Sequence, residues 1–560
     1  MSGSGTGAGA EKDGLAAYSS RRAQMFPKMS AAELARCAKV GTEVVVEAGA
    51  IVFEQGQENV PFYVVLEGAV EVVHPDGARE DRITVHGPLE FTGEVNLLSE
   101  RRTLVRGRAT EKTRLLRVEI RDLRALVHND PELSELLLRA FILRRVGLLE
   151  ERFGDSVLVG SRHSAGTLRA QEFLTRNGHP YRYVDADADT GVAALLEGFH
   201  LGVSDVPVLI CRGEKVLKHP TNAEIAECIG FNASIDVRAV RDVVIVGAGP
   251  GGLAAAVYAA SEGLDVLVVE SNAPGGQAGS SSKIENYLGF PTGISGQALA
   301  ARAFTQAEKF GASIAIARGA AKIDCDVFPY AVTLDDGTTV HARAIVIATG
   351  AEYRKLEIEN LARFEGVGVY YGATFVEAQR CQSDDVIVVG GGNSAGQAAM
   401  FLSNSCRRVH VLVRGVGLAA SMSRYLIQRL EETPNVTLHP RTRIVALAGG
   451  ESLEEVTFID DSTCTTSTQK IAHVFSMTGA KPNTEWLAGC LLLDEHGFVL
   501  TGTDLPSTTM LRGRRPMLFE TSLARVFAVG DVRANSVKRV ASAVGEGSVC
   551  VQLLHKALAE

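Results

Sequence analysis

The stretch VVIVGAGPGGLAAAVYAASEGLDVLVVE, from Val243 to Glu270, leaves few folds open. A β-branched run leads into Gly247, Gly249 and Gly252, spaced G-x-G-x-x-G. An alanine-rich helical segment follows, and a second β-branched run ends on Glu270, 23 residues after Gly247. The first glycine serves a tight turn, the second lets a diphosphate approach the backbone, and the third lets the helix lie close to the strand. The anion then meets free N–H groups and the positive end of the helix dipole. A carboxylate closing the second strand accepts hydrogen bonds from ribose hydroxyls. This order of elements predicts a parallel α/β unit that binds a dinucleotide.

The same grammar returns in DVIVVGGGNSAGQAAMFLSNSCRRVHVLVRG, Asp385 to Gly415. Here Gly390, Gly392 and Ala395 form G-x-G-x-x-A around Asn393, after the strand Val386 to Val389. The second strand ends on Arg414 and carries no acid. An acid there repels a 2′-phosphate, whereas an arginine pairs with it. NADPH is therefore expected over NADH, with Arg414 as a solvated strand end as the plainer alternative.

Three further pieces share an order with these loops: GGQAGSSSKIENYLGFP (275–291), AIVIATG (344–350) and VFAVGDVRANSVKRVASAVGEGSVCV (526–551). Together they resemble the FAD domain of the low-molecular-weight, thioredoxin reductase-like flavoproteins, over about residues 240 to 560. The resemblance implies FAD at the first loop. It places Gln277 and Asn286 at the flavin, Gly350 at a strand turn, Asp531 after Gly530 on the ribityl chain, and Val540 with Arg539 and Ala541 along the isoalloxazine. The segment TGAKPNTEWL (478–487) resembles the return from the NADPH domain. The family carries two adjacent basic residues where this chain has Arg414 and Gly415, so Arg424 is the candidate to compensate. A homodimer is expected on the same ground.

Nine cysteines are scattered along the chain, and no two are separated by two residues. Buried thiols are expected, rather than a disulfide framework or a zinc site. The resemblance sharpens this point. Such reductases pass electrons to a Cys-x-x-Cys before the second glycine loop. The equivalent stretch, GVGVYYGATFVEAQRCQ (366–382), has Tyr370 and Ala373 at those positions. The other disulfide-reductase arrangement puts its pair near 275–284, where there is also none. The candidates left for a catalytic role are Tyr370, Tyr371 and Cys381. The tyrosines either stack near the flavin or pack the domain hinge. Cys381, a single thiol, is either structural or a redox sensor or charge-transfer partner.

Residues 1–26 read as a disordered tail or short helix. Residues 27–153 are rich in short β runs, TEVVVEAG, AIVFEQGQ, PFYVVLEGAVEVVHPDG and TRLLRVEI, with a helix after Pro131. EFTGEVNLLSERRTLVRGRAT (90–110) resembles the phosphate-binding cassette of cyclic nucleotide-binding domains, shortened and without a proline before the arginine. That resemblance makes Glu94 the ribose ligand and Arg102 the phosphate ligand, with Arg101 as its rival. The occupant is a cyclic nucleotide, another small anion, or nothing. Residues 154–235 alternate strand and helix and resemble a thioredoxin or glutaredoxin fold. Ser161 and Ser164 stand where that family has its cysteines, and Pro207 stands at its cis-proline position, so the unit is expected to be redox-dead.

The expected fold class is multidomain: a β-roll of cyclic nucleotide-binding type, a thioredoxin-like α/β unit, and two Rossmann-like α/β domains. FAD binding is assigned to 240–355 and 485–560, and NADPH binding to 356–484. Length and 46% hydrophobic residues suit several packed cores. The net charge of −9 argues against a nucleic-acid partner. No apolar run approaches the roughly 18 residues of a bilayer span. Without a signal-like start, a cytoplasmic protein is expected. The expected function is an NADPH-dependent FAD oxidoreductase lacking the redox Cys-x-x-Cys and regulated by a nucleotide. Its electron acceptor is a quinone, a ferredoxin-like protein or an external thiol protein. The alternatives are a flavin- and nucleotide-binding redox sensor with little turnover, and a thioredoxin reductase using unconventional thiols.

Overall fold

The structure, a computed structural model, describes residues 22–560 except 77–78, 98–100, 152–153, 190–191, 193–195, 198, 200, 213–214, 233–234, 420–421 and 488. The expectations for residues 1–21, and for five of the ten residues 192–201 in the alternation of strand and helix expected over 154–235, lie outside the described residues. Residues 22–25 are helical.

The first unit is a β-roll of two antiparallel sheets. One orders Thr42–Val46, Thr113–Val118 and Phe62–Glu67. The other orders Ile51–Phe53, Arg106–Ala109, Val70–Asp76 and Arg79–His86. The charged strands Arg79–His86 and Arg106–Ala109 carry little of the apolar alternation by which the others are read. Ion pairs across the sheet support them instead: Arg106 with Glu54 and Glu80, and Arg108 with Glu71 and Glu80. Inside the roll Phe62, Phe91 and Phe141 pack with ring centroids 5.7 to 6.4 Å apart. Phe141 lies on helix Pro131–Glu150, which Asp130 starts by accepting a hydrogen bond from the Leu133 N–H at 3.0 Å.

The middle unit has four strands in the order Lys215–Lys218, Val208–Cys211, Ser156–Gly160 and Arg182–Asp185. The last two pair in parallel across helix Ala165–Arg176, and the other pairs are antiparallel. The Val206–Pro207 peptide is cis. Ser164 caps helix Ala165–Arg176, and the Ser161 hydroxyl donates to Asp187 at 2.7 Å. Here the expectation for the cysteines is corrected. Cys211 and Cys228 form a disulfide across this unit, and Cys325 and Cys490 form a second. The partners are 17 and 165 residues apart, so only tertiary packing brings them together. Cys37, Cys381, Cys406 and Cys550 are buried thiols, and Cys464 is exposed.

Two α/β sheets follow. In the first, Ser313–Ile316, Val266–Glu270, Val240–Val246 and Thr339–Ile347 run parallel, with Val526–Ala528 joining Thr339–Ile347 from the far end of the chain. In the second, Val369–Tyr370, His473–Ser476, Asp385–Val389, Arg408–Val413 and Val436–Pro440 are all parallel. A short antiparallel ribbon, Ala351–Glu352 against Lys481–Pro482, joins the two.

The middle unit is wedged between the others. On the first sheet's side, the Asn232 side chain donates to the Ile316 carbonyl and accepts from its N–H, both at 2.7 Å. Against the second sheet, Leu168 packs into a cluster with Tyr370, Ala373 and Ala378. Beside it Glu172 faces Glu377, and burial followed by that neighbouring carboxyl pushes the Glu172 carboxyl up to about 9. A carboxyl raised in the folded state holds a proton that the unfolded chain has lost, so stability falls as pH rises from the ordinary carboxylate range to about 9. Glu172→Gln is therefore expected to raise the thermal unfolding midpoint at pH 8 by more than at pH 5.5. A gain that is equal at both pH values contradicts a raised Glu172 carboxyl.

Candidate functional site

Gly247 has φ +105, and a Cβ on it would sit 2.4 Å from the Ala348 carbonyl oxygen. Gly249 precedes helix Pro250–Ser261, whose first residue is proline. A Cβ on Gly252 would meet the Gly247 oxygen at 1.9 Å, so helix and strand touch backbone to backbone. Glu270 is 8% exposed. Its Oε2 accepts from the Ala248 N–H at 2.7 Å and its Oε1 from the Asn272 N–H at 2.8 Å. Burial raises the Glu270 pKa, and these N–H donors oppose the shift. The carboxylate thus braces the loop as well as facing the space beneath it.

That space is a cavity of about 890 Å³, within the range of ligand sites. Gly247, Gly249, Glu270, Gln277, Asn286, Gly350, Gly530, Asp531 and Val540 all line it. Gly350 and Gly530 adopt positive φ, +65 and +75. Asp531 is raised in pKa by burial, and Lys538 donates to its carbonyl at 3.0 Å. The second glycine loop reaches the same cavity through Asn393, Ser394 and Gln397. Gly390, with φ +145, turns against the Met477 carbonyl, and buried Ala395 packs beside it. Asn393 Oδ1 accepts from the N–H and hydroxyl of Ser423, each at 2.8 Å, which ties the loop to the start of helix Arg424–Glu432. Arg414 and Arg424 are exposed and do not line the cavity.

Tyr370, Tyr371 and Cys381 do not line the cavity. Tyr370 stacks on His473 at 5.9 Å, and burial pushes its hydroxyl up to about 12. Tyr371 donates to Glu365 at 2.6 Å. The reading of Cys381 as a solitary thiol is corrected: Cys406 Sγ lies 3.6 Å from its sulfur, brought there by the crossover between parallel strands. Among the described residues lining the cavity there is no cysteine.

The β-roll holds a second cavity, of about 370 Å³. Glu94 lines it, 6% exposed, with Arg145 at 3.6 Å. Arg102 does not line it; its Nε donates to Glu58 at 2.8 Å. Its rival Arg101 does, with its guanidinium stacked on Phe231 and Phe304, each 4.8 Å from the ring centre. Sequence reasoning missed Arg144, a buried guanidinium over Phe91 whose pKa burial lowers to about 9. An arginine on an apolar helix face was its one available signal. Also missed at the larger cavity were Tyr353, Trp486 and Arg176, the last reaching in from the middle unit.

Residues 241–547 match the family described as pyridine nucleotide-disulphide oxidoreductase. The chain belongs to this family. Residues 43–130 match the cyclic nucleotide-binding domain. A thioredoxin reductase of Mycoplasma genitalium is 31% identical over 313 residues, covering 56% of this chain and 93% of that one. One from Streptomyces clavuligerus is 32% identical over 309 residues, covering 55% and 91%. Among solved structures, thioredoxin reductase of Lactococcus lactis in its FR conformation superposes with a TM-score of 0.51 at 26% identity, covering 57% and 99%. Thioredoxin reductase of T. acidophilum gives the same values. The protein is thus an NAD(P)H-dependent flavoprotein oxidoreductase, with FAD and NADPH as cofactors and a cyclic nucleotide-binding domain at its N-terminal side. No helix among the described residues is long and apolar enough to cross a membrane.

The cavity fits this pyridine nucleotide-disulphide oxidoreductase assignment. It has glycines where a side chain cannot fit, a buried acid on the loop, and room for an extended dinucleotide. Gly252→Ala is expected to yield protein without bound flavin, because the new methyl collides with the Gly247 oxygen. Flavin absorbance of the purified variant checks this. A variant with full flavin content shows that the loop relaxes.

Proposed function

We propose that this protein oxidises NADPH through bound FAD and delivers the electrons to an acceptor that reaches the flavin directly, under the control of a cyclic nucleotide. The observation that carries this reading is a cavity shared by both glycine loops and lined by no thiol among the described residues. Bound flavin supplies the hydride-accepting chemistry. The chain's own residues hold and orient. Gly247, Gly249 and Glu270 take the adenosine diphosphate side, and Asp531 the ribityl chain. Gln277, Asn286 and Val540 border the ring, and Gly390, Gly392, Asn393 and Ala395 carry the NADPH diphosphate. Arg414 and Arg424 meet the 2′-phosphate.

The middle unit supports the direct-acceptor reading. Its sheet order, its cis Val206–Pro207 and the position of Ser161 and Ser164 favour a thioredoxin-like fold without redox thiols. It also covers the segment that carries Tyr370 and Ala373. Ala165 abuts Gly366, where a Cβ would come within 2.9 Å, and Arg380 reaches Gln171 at 3.4 Å. Tyr370 and Ala373 are themselves buried there. A quinone-like small molecule is the favoured acceptor.

Control by the β-roll has a physical path. Arg101 lines the nucleotide cavity while stacking on Phe304 of helix Gly296–Lys309, next to Glu308. An anion that draws Arg101 inward acts on the flavin side by differential contact.

Stopped-flow mixing is expected to show NADPH bleaching the flavin, with a quinone restoring its colour and oxidised thioredoxin failing to do so. Rapid reoxidation by thioredoxin, lost in Cys381→Ser, favours unconventional thiols instead. Arg414→Ala is expected to raise KM for NADPH about tenfold to a hundredfold with kcat nearly unchanged, and to leave NADH kinetics alone, since a charge-assisted hydrogen bond is lost. An equal effect on both nucleotides removes Arg414 from the 2′-phosphate site.

A further inference from the structure

The middle unit carries no thiol at Ser161 or Ser164, yet one of its side chains enters the cavity of another unit. Arg176 is the last residue of helix Ala165–Arg176, where a cation suits the helix dipole. It lines the large cavity together with Gly247, Glu270, Asn272 and Gly276. Its Nη2 donates to the Gly276 carbonyl at 2.7 Å, which sets the plane of the guanidinium. Its Nε is buried and has no hydrogen-bond partner among the described residues. The charge acts on Glu270, lowering the pKa that burial raises.

The loop beside it is gripped from the same side. Asn177 Nδ2 donates to the Asn272 carbonyl and Asn222 Nδ2 to Asn272 Oδ1, each at 3.2 Å. The Gln297 amide donates to the Thr175 carbonyl at 2.6 Å. Of the other cations on the cavity wall, Lys538 donates to the Asp531 carbonyl, Lys481 pairs with Glu485 at 2.7 Å, and Arg539 is exposed beside Val540. On the Glu270 side, the glycine loop offers backbone N–H groups and a dipole but no cationic side chain of its own.

We propose that Arg176 completes the FAD site from the middle unit, donating through its guanidinium to an oxygen of the adenosine diphosphate half of the cofactor. The inference rests on reading the first glycine loop as the FAD loop. A planar guanidinium held by one bond, with a spare N–H, suits a phosphate or ribose oxygen, and an ammonium does not reproduce it. The middle unit then acts as a clamp on the cofactor's nucleotide end, a task that needs no cysteine.

The test uses the full chain stripped of flavin and titrated by calorimetry with FAD and, separately, with ADP. Arg176→Gln is expected to weaken both by the same factor, about tenfold to a hundredfold. Arg176→Lys is expected to fall between that variant and the wild type. Asn177→Ala, which loosens the grip without touching the cavity, is expected to stay within about twofold. Unchanged affinities in Arg176→Gln overturn the proposal. So does a loss confined to FAD, or an equal loss in Asn177→Ala. If Arg176→Gln does not fold, Arg176→Lys decides: weakened ADP binding supports the proposal, and unchanged ADP binding overturns it. Wild-type protein that binds no ADP rejects the first-loop reading itself. Wild-type binding with an indifferent Arg176 variant rejects the clamp alone.

Discussion

Three backbone segments meet at the first glycine loop with no room for a side chain between them. Gly247 turns against the Ala348 carbonyl, Gly252 lies on Gly247, and Gly547 of the C-terminal helix Val540–Ala559 would place a Cβ 2.2 Å from the Gly251 oxygen. This close approach decides more than a local turn. It aims the start of helix Pro250–Ser261 at the cavity, and it anchors the C-terminal helix so that Asp531 and Val540 face the same space. It also joins residues almost 300 positions apart into one wall, with Val526–Ala528 added to the sheet beside Thr339–Ile347.

Around that fixed point the other units are arranged by polar and aromatic contacts. The middle unit holds the loop after Glu270 through Arg176, Asn177 and Asn222, and covers the segment 366–380 on its other side. The β-roll touches both neighbours through Arg101, whose guanidinium lies between Phe231 of the middle unit and Phe304 of the flavin side. His128 and Phe310 add an edge-on contact nearby. An arginine between two aromatic rings is worth most when desolvated, so this joint is sensitive to any anion that competes for it. The cassette of the β-roll is thus read twice, once as a ligand wall and once as an interface.

The flavin side was legible because its signals are local. Strand, glycine turn, helix and terminal acid are set by neighbours in the chain, and Gly247 to Glu270 folds as that pattern requires. Most of the residues proposed for FAD share one cavity, whereas Gly252 lies at the contact of helix and strand and does not line it. The β-roll was legible as strands wherever apolar residues alternate. It was not legible at Arg79–His86 and Arg106–Ala109, where ion pairs between distant glutamates and arginines replace that alternation. At the cassette, two adjacent arginines look alike in the sequence. Arg102 turns to Glu58 and Arg101 to the cavity, a choice made by Phe231 and Phe304 from other units.

What the sequence determined by itself was the chemistry of entry: two glycine loops, an acid on one and an arginine on the other, and no paired cysteines at the spacing a redox dithiol needs. Those features depend on residues close in the chain, and steric and dipole effects act over that range. Only the tertiary structure decided which distant groups share a space. It paired Cys211 with Cys228 and Cys325 with Cys490, set Cys406 beside Cys381, and withdrew Tyr370 and Tyr371 from the flavin cavity. It also brought Arg176 to the nucleotide loop across a unit boundary. Each outcome depends on packing between surfaces that no periodicity encodes, because a side chain's neighbours across an interface are set by the shapes of both sides at once.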